Sequence, residues 1–405
     1  MKLLLCWLFS LALSANPLLD LEKGIQDFVL ETKRIHIPLY PAAFNPGIIR
    51  WQNSLLLSFR ILPDPNDSYI SQLGLVWLDN DFNPIGEPQL LNLREIACES
   101  PCRAEDARLI EVDHQLYLVY SDNVEPTISK GGFRLFVAEL CFENNLLSIK
   151  TPLCLSPFEG ESKEVREKNW VPFEYLGEPV AKPHDSEKSM ILTPPCHGCD
   201  EGILDRVDES PPWQGTAKGR FYALKSFATG SGTLFFAYSL CPHKIFLPNL
   251  QTGECETLAE TEGNIYWSWG DLRGGTPALN IGDEYLAFFH SSKKMQTAHS
   301  NEKKMLHYVM GAYTFSLQYP FSIVKISQDP IIGENFYRGP TYPTSKNWSS
   351  MRGIFPGGFV MDEQAIWVVY GRQDHELGVV KLDRQKLLES LIPVSPLQSS
   401  DYQRD

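Results

Sequence analysis

The chain has 405 residues and a formal net charge of −14 at pH 7, with 50 acidic against 36 basic side chains. The acidic charge is spread along the chain, which argues against nucleic acid or an anionic membrane surface as a partner. Hydrophobic residues make up 43% of the sequence, and the 28 glycines and 29 prolines favour a globular, turn-rich protein over a fibrous or disordered one.

The first fifteen residues have the features of a cleavable signal peptide. Lys2 supplies a short positive region, residues 3–13 form an apolar core, and Ala12-Leu13-Ser14-Ala15 offers small residues for cleavage. The apolar run is too short to anchor the chain permanently in a bilayer. We therefore expect an exported protein, secreted or periplasmic, with no membrane insertion once residues 1–15 are removed.

Removal of the leader takes Cys6 with it and leaves eight cysteines, an even number that indicates disulfides in an exported chain. Their spacing favours four pairs between sequence neighbours, although the sequence cannot choose among the possible connectivities: Cys98 with Cys102, Cys141 with Cys154, Cys196 with Cys199, and Cys241 with Cys255. Zinc at Cys196 and Cys199 is the second interpretation, and it ranks lower because no matching pair of ligands follows at a usual spacing. The sequence predicts no metal and no cofactor.

Helical periodicity is confined to the two ends of the chain, at Leu18 to Leu30 and at Asp383 to Leu391. The sequence between them alternates in the manner of strands. One hairpin-like unit recurs, in which a small residue or proline opens an apolar strand and a second strand ends in an aromatic residue followed by a polar one. Its five copies start near Pro46, Ala107, Pro172, Pro277 and Pro356.

Five such units in succession predict a five-bladed β-propeller, because no unit can bury both faces of its sheet alone. An ordinary β-sandwich is the less favoured alternative. We expect the propeller to span residues 41–381, with an N-terminal extension at 16–40 and a C-terminal helix and tail at 382–405. The third unit is split by residues 177–230, which predict an inserted loop or small lobe over one mouth.

Polar residues at the ends of the predicted inner strands are the functional candidates, because such ends face the mouth of a propeller channel. The strand openings and closings supply a carboxylate, cations, amides and histidines from five separate segments, a set suited to a hydroxyl-rich or anionic ligand. The candidates are Asn45, Arg60, Glu105, Asp106, Arg108, Asp122, Lys168, Asn169, His243, Arg273, Thr276, His290 and Asp374. Aromatic faces that could cover a sugar ring are those of Trp170, Trp267, Trp269 and Tyr313.

These segments carry a family resemblance. Their order along the chain is Phe44-Asn-Pro46 to Arg60, Glu105-Asp-Ala-Arg108, Lys168-Asn169 to Phe173, Gly274-Gly-Thr-Pro277 to His290, Gly311-Ala312, Asp329-Pro-Ile331, Phe355-Pro-Gly357, and Tyr370-Gly to Asp374. This succession resembles the motifs of glycoside hydrolase family 130, whose members are five-bladed propellers acting mainly on β-mannosides, most as phosphorylases and some as hydrolases. The resemblance covers roughly Pro41 to Lys381.

The resemblance implies that Asp106 is a general acid whose proton reaches the leaving oxygen through a sugar hydroxyl. It also implies that Arg108 holds a carboxylate or sugar oxygen, and that sugar and phosphate subsites are lined by Arg60, Lys168, Asn169 and His290. Hydrolysis would require a second carboxylate to activate water. Asp374 matches a family position and is the first choice over Glu174, Asp271 and Glu334.

Departures from the family pattern weaken the expectation of phosphorolysis. Tyr238-Ser239 stands where the family's phosphorylases have His-Arg, so one cation expected on phosphate is missing, and Ala107 replaces a motif proline. The first hypothesis is therefore an inverting glycosidase on a β-mannoside or related glycan. A phosphorylase or sugar-phosphate-dependent glycosyltransferase is the second, with inorganic phosphate as a partner, and a non-catalytic glycan-binding propeller is the third.

Overall fold

A computed structural model describes eight stretches of the chain: residues 18–67, 70–93, 103–123, 132–143, 146–156, 167–177, 232–342 and 349–396. Strands dominate these residues, and the predicted all-β class is confirmed. Within the described residues no helix is long and apolar enough to cross a membrane. The predicted insertion at 177–230 lies almost entirely outside the described residues, as do Cys98, Cys102, Cys196 and Cys199.

The strands of the first half form three antiparallel units after an initial strand β1 (Val29–Ile35). The first unit contains β2 (Phe44–Trp51), β3 (Ser54–Ile61), β4 (Gln72–Leu78) and β5 (Pro84–Leu90). The second contains β6 (Glu105–Val112), β7 (Gln115–Asn123), β8 (Phe133–Glu143), β9 (Leu146–Ile149) and β10 (Leu153–Leu155). The third contains β11 (Val171–Tyr175), β12 (Thr233–Leu240), β13 (His243–Pro248) and β14 (Cys255–Thr261).

Two further units follow the short strand β15 (Gly263–Asn264). The fourth contains β16 (Arg273–Gly274), β17 (Leu279–Asn280), β18 (Glu284–Met295), β19 (Met305–Ser316) and β20 (Ile323–Ile326). The fifth contains β21 (Arg352–Met361), β22 (Ala365–Arg372) and β23 (Glu376–Asp383). The described chain ends with helix α1 (Arg384–Ser390) and two short strands, β24 (Ile392–Pro393) and β25 (Ser395–Pro396).

The N-terminal strand completes the last unit. Strand β1 pairs antiparallel with β23, with Thr32 opposite Val380, so that part of the predicted N-terminal extension belongs to the fifth unit. The parallel contact of β19 with β21 joins the strands of the fourth and fifth units into one ten-stranded sheet. The predicted helix at residues 18–30 is wrong, since only a short 3-10 turn forms, at Leu21–Gly24. Leu21 and Phe28 have the spacing of a helix face but reach the core from that turn and from the residue before β1. Tertiary pairing therefore overrides the local periodicity.

The predicted C-terminal helix is present as α1. Its N-cap is Asp383, whose side chain accepts a hydrogen bond from the backbone N–H of Lys386 at 3.1 Å. Such a cap satisfies one of the amides that the first turn of a helix leaves unpaired. Leu387 lies on the buried face of the helix and packs into the core formed by the fourth and fifth units.

The first strands of the units lie side by side in a ring. Strand β2 contacts both β6 and β21, and β6 contacts β11. The approach is so close that a Cβ atom at Gly357 would lie 2.0 Å from the Pro46 carbonyl oxygen, and one at Gly274 would lie 2.1 Å from the Asn169 carbonyl oxygen. Glycine is the residue that permits such contact between backbones. The ring places the openings of the five units around one mouth.

The hydrophobic core is distributed between neighbouring units rather than gathered at one centre. Between the third and fourth units, for example, the ring of Phe173 packs edge-on against Phe315 and Phe321, with centroids 5.2 and 5.8 Å away. All three side chains are essentially inaccessible to solvent. Because each sheet buries both faces against its neighbours, the inner strand ends are held in fixed positions.

The disulfide prediction fails for the cysteines that the structure describes. Cys141, Cys154, Cys241 and Cys255 are all free thiols, so neither predicted pair among them forms. Cys141 lies on β8 and Cys154 on β10, two paired strands, but β10 pairs with residues 135–137 of β8, several positions from Cys141. Spacing along the sequence alone therefore does not show which strand positions face each other.

Candidate active site

A cavity of about 210 Å³ opens where the five units meet. Its lining includes at least one polar residue from each unit: Asn45 and Arg60 from the first, Glu105 and Asp106 from the second, Lys168 and Asn169 from the third, His290 and Tyr308 from the fourth, and Gln373 and Asp374 from the fifth. A site assembled in this way depends on the closure of the whole ring. It is the place where the predicted carboxylates and amides come together.

Five of these residues share an unusual backbone conformation: Gln373, with a φ of 52°, and four Asn or Asp residues. Asn45, Asp106, Asn169 and Asp374 have positive φ angles of 46°, 56°, 64° and 52°. Asn and Asp tolerate this left-handed region better than other residues with a Cβ atom. Asn45 and Asp106 also sit in β-bulges near the start of β2 and β6. A bulge turns a side chain out of the normal alternation of a strand, which explains how each unit presents a polar group to the mouth.

Asn45 links the two carboxyl groups of the site. Its Nδ2 donates to Oδ1 of Asp106 at 3.0 Å, and the same side chain lies close enough to Asp374 to lower the pKa of that carboxyl group. Asn45 can occupy this place because Gly371 has no side chain, since a Cβ there would lie 2.1 Å from Oδ1 of Asn45. The amide therefore fixes Asp106 relative to Asp374 across the boundary between the first and fifth units.

Asp374 is held in an environment that favours its neutral form. Burial raises its pKa to about 7, with Asp106 and then Glu105 contributing further repulsion. Arg60 and the hydrogen bond from Asn45 oppose this rise without cancelling it. Asp106 accepts the Asn45 hydrogen bond and lies 3.9 Å from Nη1 of Arg60. The site therefore holds two neighbouring carboxyl groups in different surroundings, an arrangement typical of acid and base catalysis.

Glu105 gathers three cations beside the pair. Its carboxylate accepts from Arg60 and Arg103, each at 3.0 Å, and from Lys168. Burial opposes ionisation, but the charges of Arg60, Lys168 and Arg103 prevail and lower the pKa of Glu105 to about 2. Lys168 also lies 3.7 Å from the centre of the Phe133 ring. Two of the cations predicted to bind substrate, Arg60 and Lys168, are thus already paired with a protein carboxylate.

We expect Glu105→Gln to lower the free energy of unfolding by about 3 kcal/mol at pH 7, because three cations lose their common anion. The depressed pKa stabilises the fold above its ordinary value of 4.5, and this contribution is lost as the pH falls towards 2. The difference between variant and wild type should therefore shrink between pH 4.5 and 2. Denaturant unfolding at pH 7 and at pH 3 measures both effects.

Glu139→Gln is the matched control for this measurement. Glu139 also pairs with a cation, Lys150, but the side chains are 35% and 60% exposed. Ion pairs at the surface contribute less than about 1 kcal/mol, so this variant should unfold almost as the wild type does. If Glu105→Gln and Glu139→Gln lowered the free energy of unfolding equally, the buried cluster around Glu105 would stabilise the fold no more than an ion pair at the surface does.

Arg108 is fully buried beside the cavity and does not line it. Its guanidinium group donates to the carbonyl oxygens of Gly275 and Asp106, the latter at 2.9 Å, and to the side-chain oxygen of Asn169 at 3.4 Å. Burial lowers its pKa to about 10, against the attraction of Asp106, so the group is a cation at neutral pH. Arg108 therefore clamps three units together, where the sequence predicted contact with a ligand.

His290 lines the cavity as a neutral imidazole. Burial first, then Arg108 and Arg273, lower its pKa to about 3, although its hydrogen bond to the Gly274 carbonyl acts in the opposite direction. Because Nδ1 lies 2.9 Å from that carbonyl oxygen, Nδ1 carries the proton. The other ring nitrogen, Nε2, is then an acceptor, which suits a sugar hydroxyl better than an anion.

Several residues predicted to bind the ligand lie elsewhere. His243 is buried between the third and fourth units, where Nδ1 contacts the Phe321 carbonyl oxygen at 2.7 Å. Thr276 is buried and donates to the Pro277 carbonyl oxygen at 2.8 Å. Arg273 lies opposite His290 in the fourth unit but is exposed and outside the cavity lining. A strand end alone therefore does not place a side chain in the mouth.

The aromatic residues proposed as sugar platforms are mostly core residues. Trp170 and Tyr313 have no exposed surface, and Trp267 and Trp269 pack against the core of the fourth unit. The cavity instead includes Tyr308 and Phe355, which sequence reasoning missed. Strand pairing places Tyr308 beside Gly353, so only the parallel contact between β19 and β21 brings it to the site.

Known proteins resemble this chain in fold rather than in sequence. No family model matches the sequence, and no curated protein matches it either. Solved structures do match. An inferred glycosidase from Bacteroides thetaiotaomicron has a TM-score of 0.53 at 13% identity, and the alignment covers 85% of this chain and 87% of that one. The chain shares the fold of a glycosidase.

Two further structures agree with this result. MPT-4, a mannose phosphorylase from Leishmania mexicana solved with a phosphate ion, has a TM-score of 0.51 at 11% identity and covers 93% of this chain and 96% of its own. An inferred glycoside hydrolase from Parabacteroides distasonis has a TM-score of 0.50 at 16% identity, with 89% and 95% covered. The chain therefore has the fold seen in these glycoside hydrolases and in a mannose phosphorylase, as the predicted resemblance implies.

Proposed function

We propose that this protein is an inverting glycosidase that acts on a β-mannoside or a related glycan. The observation that carries the proposal is the pair of carboxyl groups, Asp106 and Asp374, which lie on either side of Asn45 in a cavity built by all five units. Inverting cleavage requires an acid on the departing oxygen and a base that activates water on the opposite face of the sugar. The fold shared with glycosidases supports this chemistry. The order of the sequence motifs, which resembles that of a family acting mainly on β-mannosides, supports a mannoside as the substrate.

Each proton has a place in the proposed reaction. Asp106 and Asp374 share one proton, and the reacting form is the one in which Asp106 carries it and Asp374 is ionised. Asp106 gives this proton, through a hydroxyl of the bound sugar, to the oxygen that leaves when the glycosidic C–O bond breaks. Asp374 takes a proton from the water whose oxygen bonds to the anomeric carbon. Asn45 helps to keep the two groups in a fixed relation, because it hydrogen-bonds Asp106 and lies beside Asp374. The remaining lining residues, among them Lys168, Asn169 and His290, supply donors and acceptors for hydroxyl groups.

Phosphorolysis is the second candidate, and the similarity to a phosphorylase that binds phosphate is what favours it. The charge distribution in the cavity favours water over phosphate as the attacking group. Arg60 and Lys168 are paired with Glu105, and His290 is neutral, so little positive charge remains for a phosphate dianion. The hydroxyl of Ser239, which stands where a cation was expected, donates to the Pro242 carbonyl oxygen at 2.6 Å.

We expect millimolar inorganic phosphate to leave the rate of mannoside cleavage unchanged or to inhibit it weakly, with free sugar as the product. The reason is that the described residues of the site offer few unpaired cations to hold phosphate beside the anomeric carbon. Chromatography of the products formed with and without phosphate measures this directly. Phosphate-dependent cleavage that yields a sugar 1-phosphate would make the protein a phosphorylase.

The proposed glycosidase works outside the cytoplasm. This part of the proposal rests on the leader-like sequence, with Lys2 ahead of an apolar run and small residues at positions 12–15. Extracellular glycans would then be its substrates. Determining the N-terminus of the protein recovered from its native host tests this, because export predicts a chain that begins near residue 16.

A further inference from the structure

A second cavity adjoins the candidate active site. It measures about 640 Å³ and shares Asp374 with the smaller cavity, and Phe44, directly before Asn45, forms part of its wall. Small-molecule sites usually occupy about 300–1,000 Å³, so the 210 Å³ of the catalytic cavity is small for a whole glycoside. The adjoining space is the place where the rest of a substrate can lie.

The lining of this second cavity is apolar. One wall is the turn from Leu39 to Ala43, and the other carries Leu62, Pro63 and Pro65. Among the described residues that line it there is no lysine or arginine, and its polar side chains are few, chiefly Asn66, Asp374 and His375. A second sugar would need many fixed donors and acceptors, and an anion would need cations. Neither requirement is met here.

Both walls are rigid before any ligand arrives. Hydrogen bonds of 3.1 Å from Tyr40 N–H to the Ile37 carbonyl and from Ala43 N–H to the Tyr40 carbonyl fix the first turn. The Tyr40 ring packs on Phe59 with centroids 5.7 Å apart. In the second wall, the two prolines restrict the backbone. A preformed apolar surface binds an apolar group at low cost in conformational entropy.

Leu39 stands out within this surface. It is 75% exposed, although leucine is a large apolar residue, and its φ of +67° is strained for a leucine. Neither property stabilises the fold. Both are explained when the side chain is held at the mouth of the cavity to cover an apolar ligand.

We propose that the second cavity binds the leaving group of the substrate and that this leaving group is an apolar alcohol, an alkyl or aryl chain rather than another sugar. The inference rests on the proposed glycosidase activity, since Phe44 in the wall of this cavity directly precedes Asn45, which hydrogen-bonds the proposed acid Asp106. Burial of the chain in the cavity raises the rate of cleavage for glycosides that carry one.

The test compares hexyl and methyl β-mannoside, which differ only in the leaving group. We expect kcat/KM to be at least about tenfold higher for the hexyl compound, the scale on which apolar pockets discriminate added methylene groups. Leu39→Asn keeps the size of the side chain and suits the left-handed backbone, and it should reduce this preference at least about threefold. Ala42→Trp fills the cavity from an exposed position and should abolish the preference.

Leu146→Asn is the matched control, because Leu146 is 62% exposed and lies on β9, away from both cavities. This variant should keep the wild-type preference. Equal kcat/KM for the two mannosides in the wild type would overturn the inference, as would a preference that survives both Leu39→Asn and Ala42→Trp. Faster cleavage of a mannose disaccharide than of hexyl mannoside would assign the cavity to a second sugar.

Binding of 1-hexanol separates this inference from the proposed function. Ligand-observed saturation-transfer NMR should detect hexanol on the wild type and lose the signal in Ala42→Trp, whatever sugar the enzyme prefers. If no hexanol binds, the apolar cavity is not a ligand site, even if mannosides are cleaved. If hexanol binds but no glycoside is cleaved, the glycosidase proposal fails and the apolar site stands.

Discussion

Asp106→Asn lowers turnover of a β-mannoside by at least about a hundredfold, the usual scale for the loss of a general acid. The amide is the same size as the carboxyl group and can still accept the hydrogen bond from Asn45, so the fold and ligand binding should be retained. It cannot transfer a proton to the leaving oxygen. Steady-state kinetics combined with calorimetric binding of the substrate measures the two effects separately.

Asp113→Asn is a close control for that experiment. Asp113 follows the opposite end of the same strand, β6, is exposed, and also has a positive φ, of 49°. Asp113→Asn makes the same chemical change at a residue with the same left-handed backbone but away from the cavity. Turnover of this variant should stay at the wild-type level. Near-normal turnover in Asp106→Asn would remove Asp106 from the mechanism.

The pH dependence of kcat/KM should show an alkaline limb near pH 7. An acid and base mechanism needs one proton on the pair formed by Asp106 and Asp374, because one member must donate while the other accepts. Burial, with repulsion from Asp106, raises the pKa of Asp374 to about 7, so the pair holds a proton below that pH and loses it above. Activity should therefore fall as the pH rises through about 7.

Asp374→Asn provides the second half of this prediction. The variant should lose at least about a hundredfold in turnover, and the limb near pH 7 should disappear from whatever activity remains, because the titrating group is gone. Initial rates from pH 5 to 9 in buffers of constant ionic strength measure both. A profile that is flat across this range in the wild type, or that is unchanged in Asp374→Asn, would contradict the role of the pair.

The sequence predicted the features that depend on local signals. The all-β class follows from strand alternation and repeated turns, and it is confirmed. Asn45, Asp106 and Asp374 were singled out because a polar residue at a strand end breaks an otherwise apolar pattern, and the structure places all three in one cavity. Their left-handed backbone explains why Asn and Asp occur there.

Features that depend on distant partners could not be predicted in this way. Whether a cation faces a ligand or a protein carboxylate is decided by neighbours far along the chain, as Lys168 and Glu105 show. His243 has the sequence signature of a site residue, yet its ring is enclosed by the packing of two sheets. The pairing of β1 with β23 was not predicted for the same reason, since the two strands lie near opposite ends of the chain.

The pairing of β1 with β23 governs how the molecule can be assembled. Strand β1 comes from the start of the chain and β23 from near its end, so their pairing closes a loop of almost the whole polypeptide, with the corresponding cost in loop-closure entropy. A chain shortened beyond Val29 would leave the outer side of β23 with unpaired N–H and C=O groups, a template for aggregation between molecules. The pairing of the two termini thus stabilises the fifth unit. A small deletion that removes β1 should promote aggregation more than a larger deletion in a surface loop.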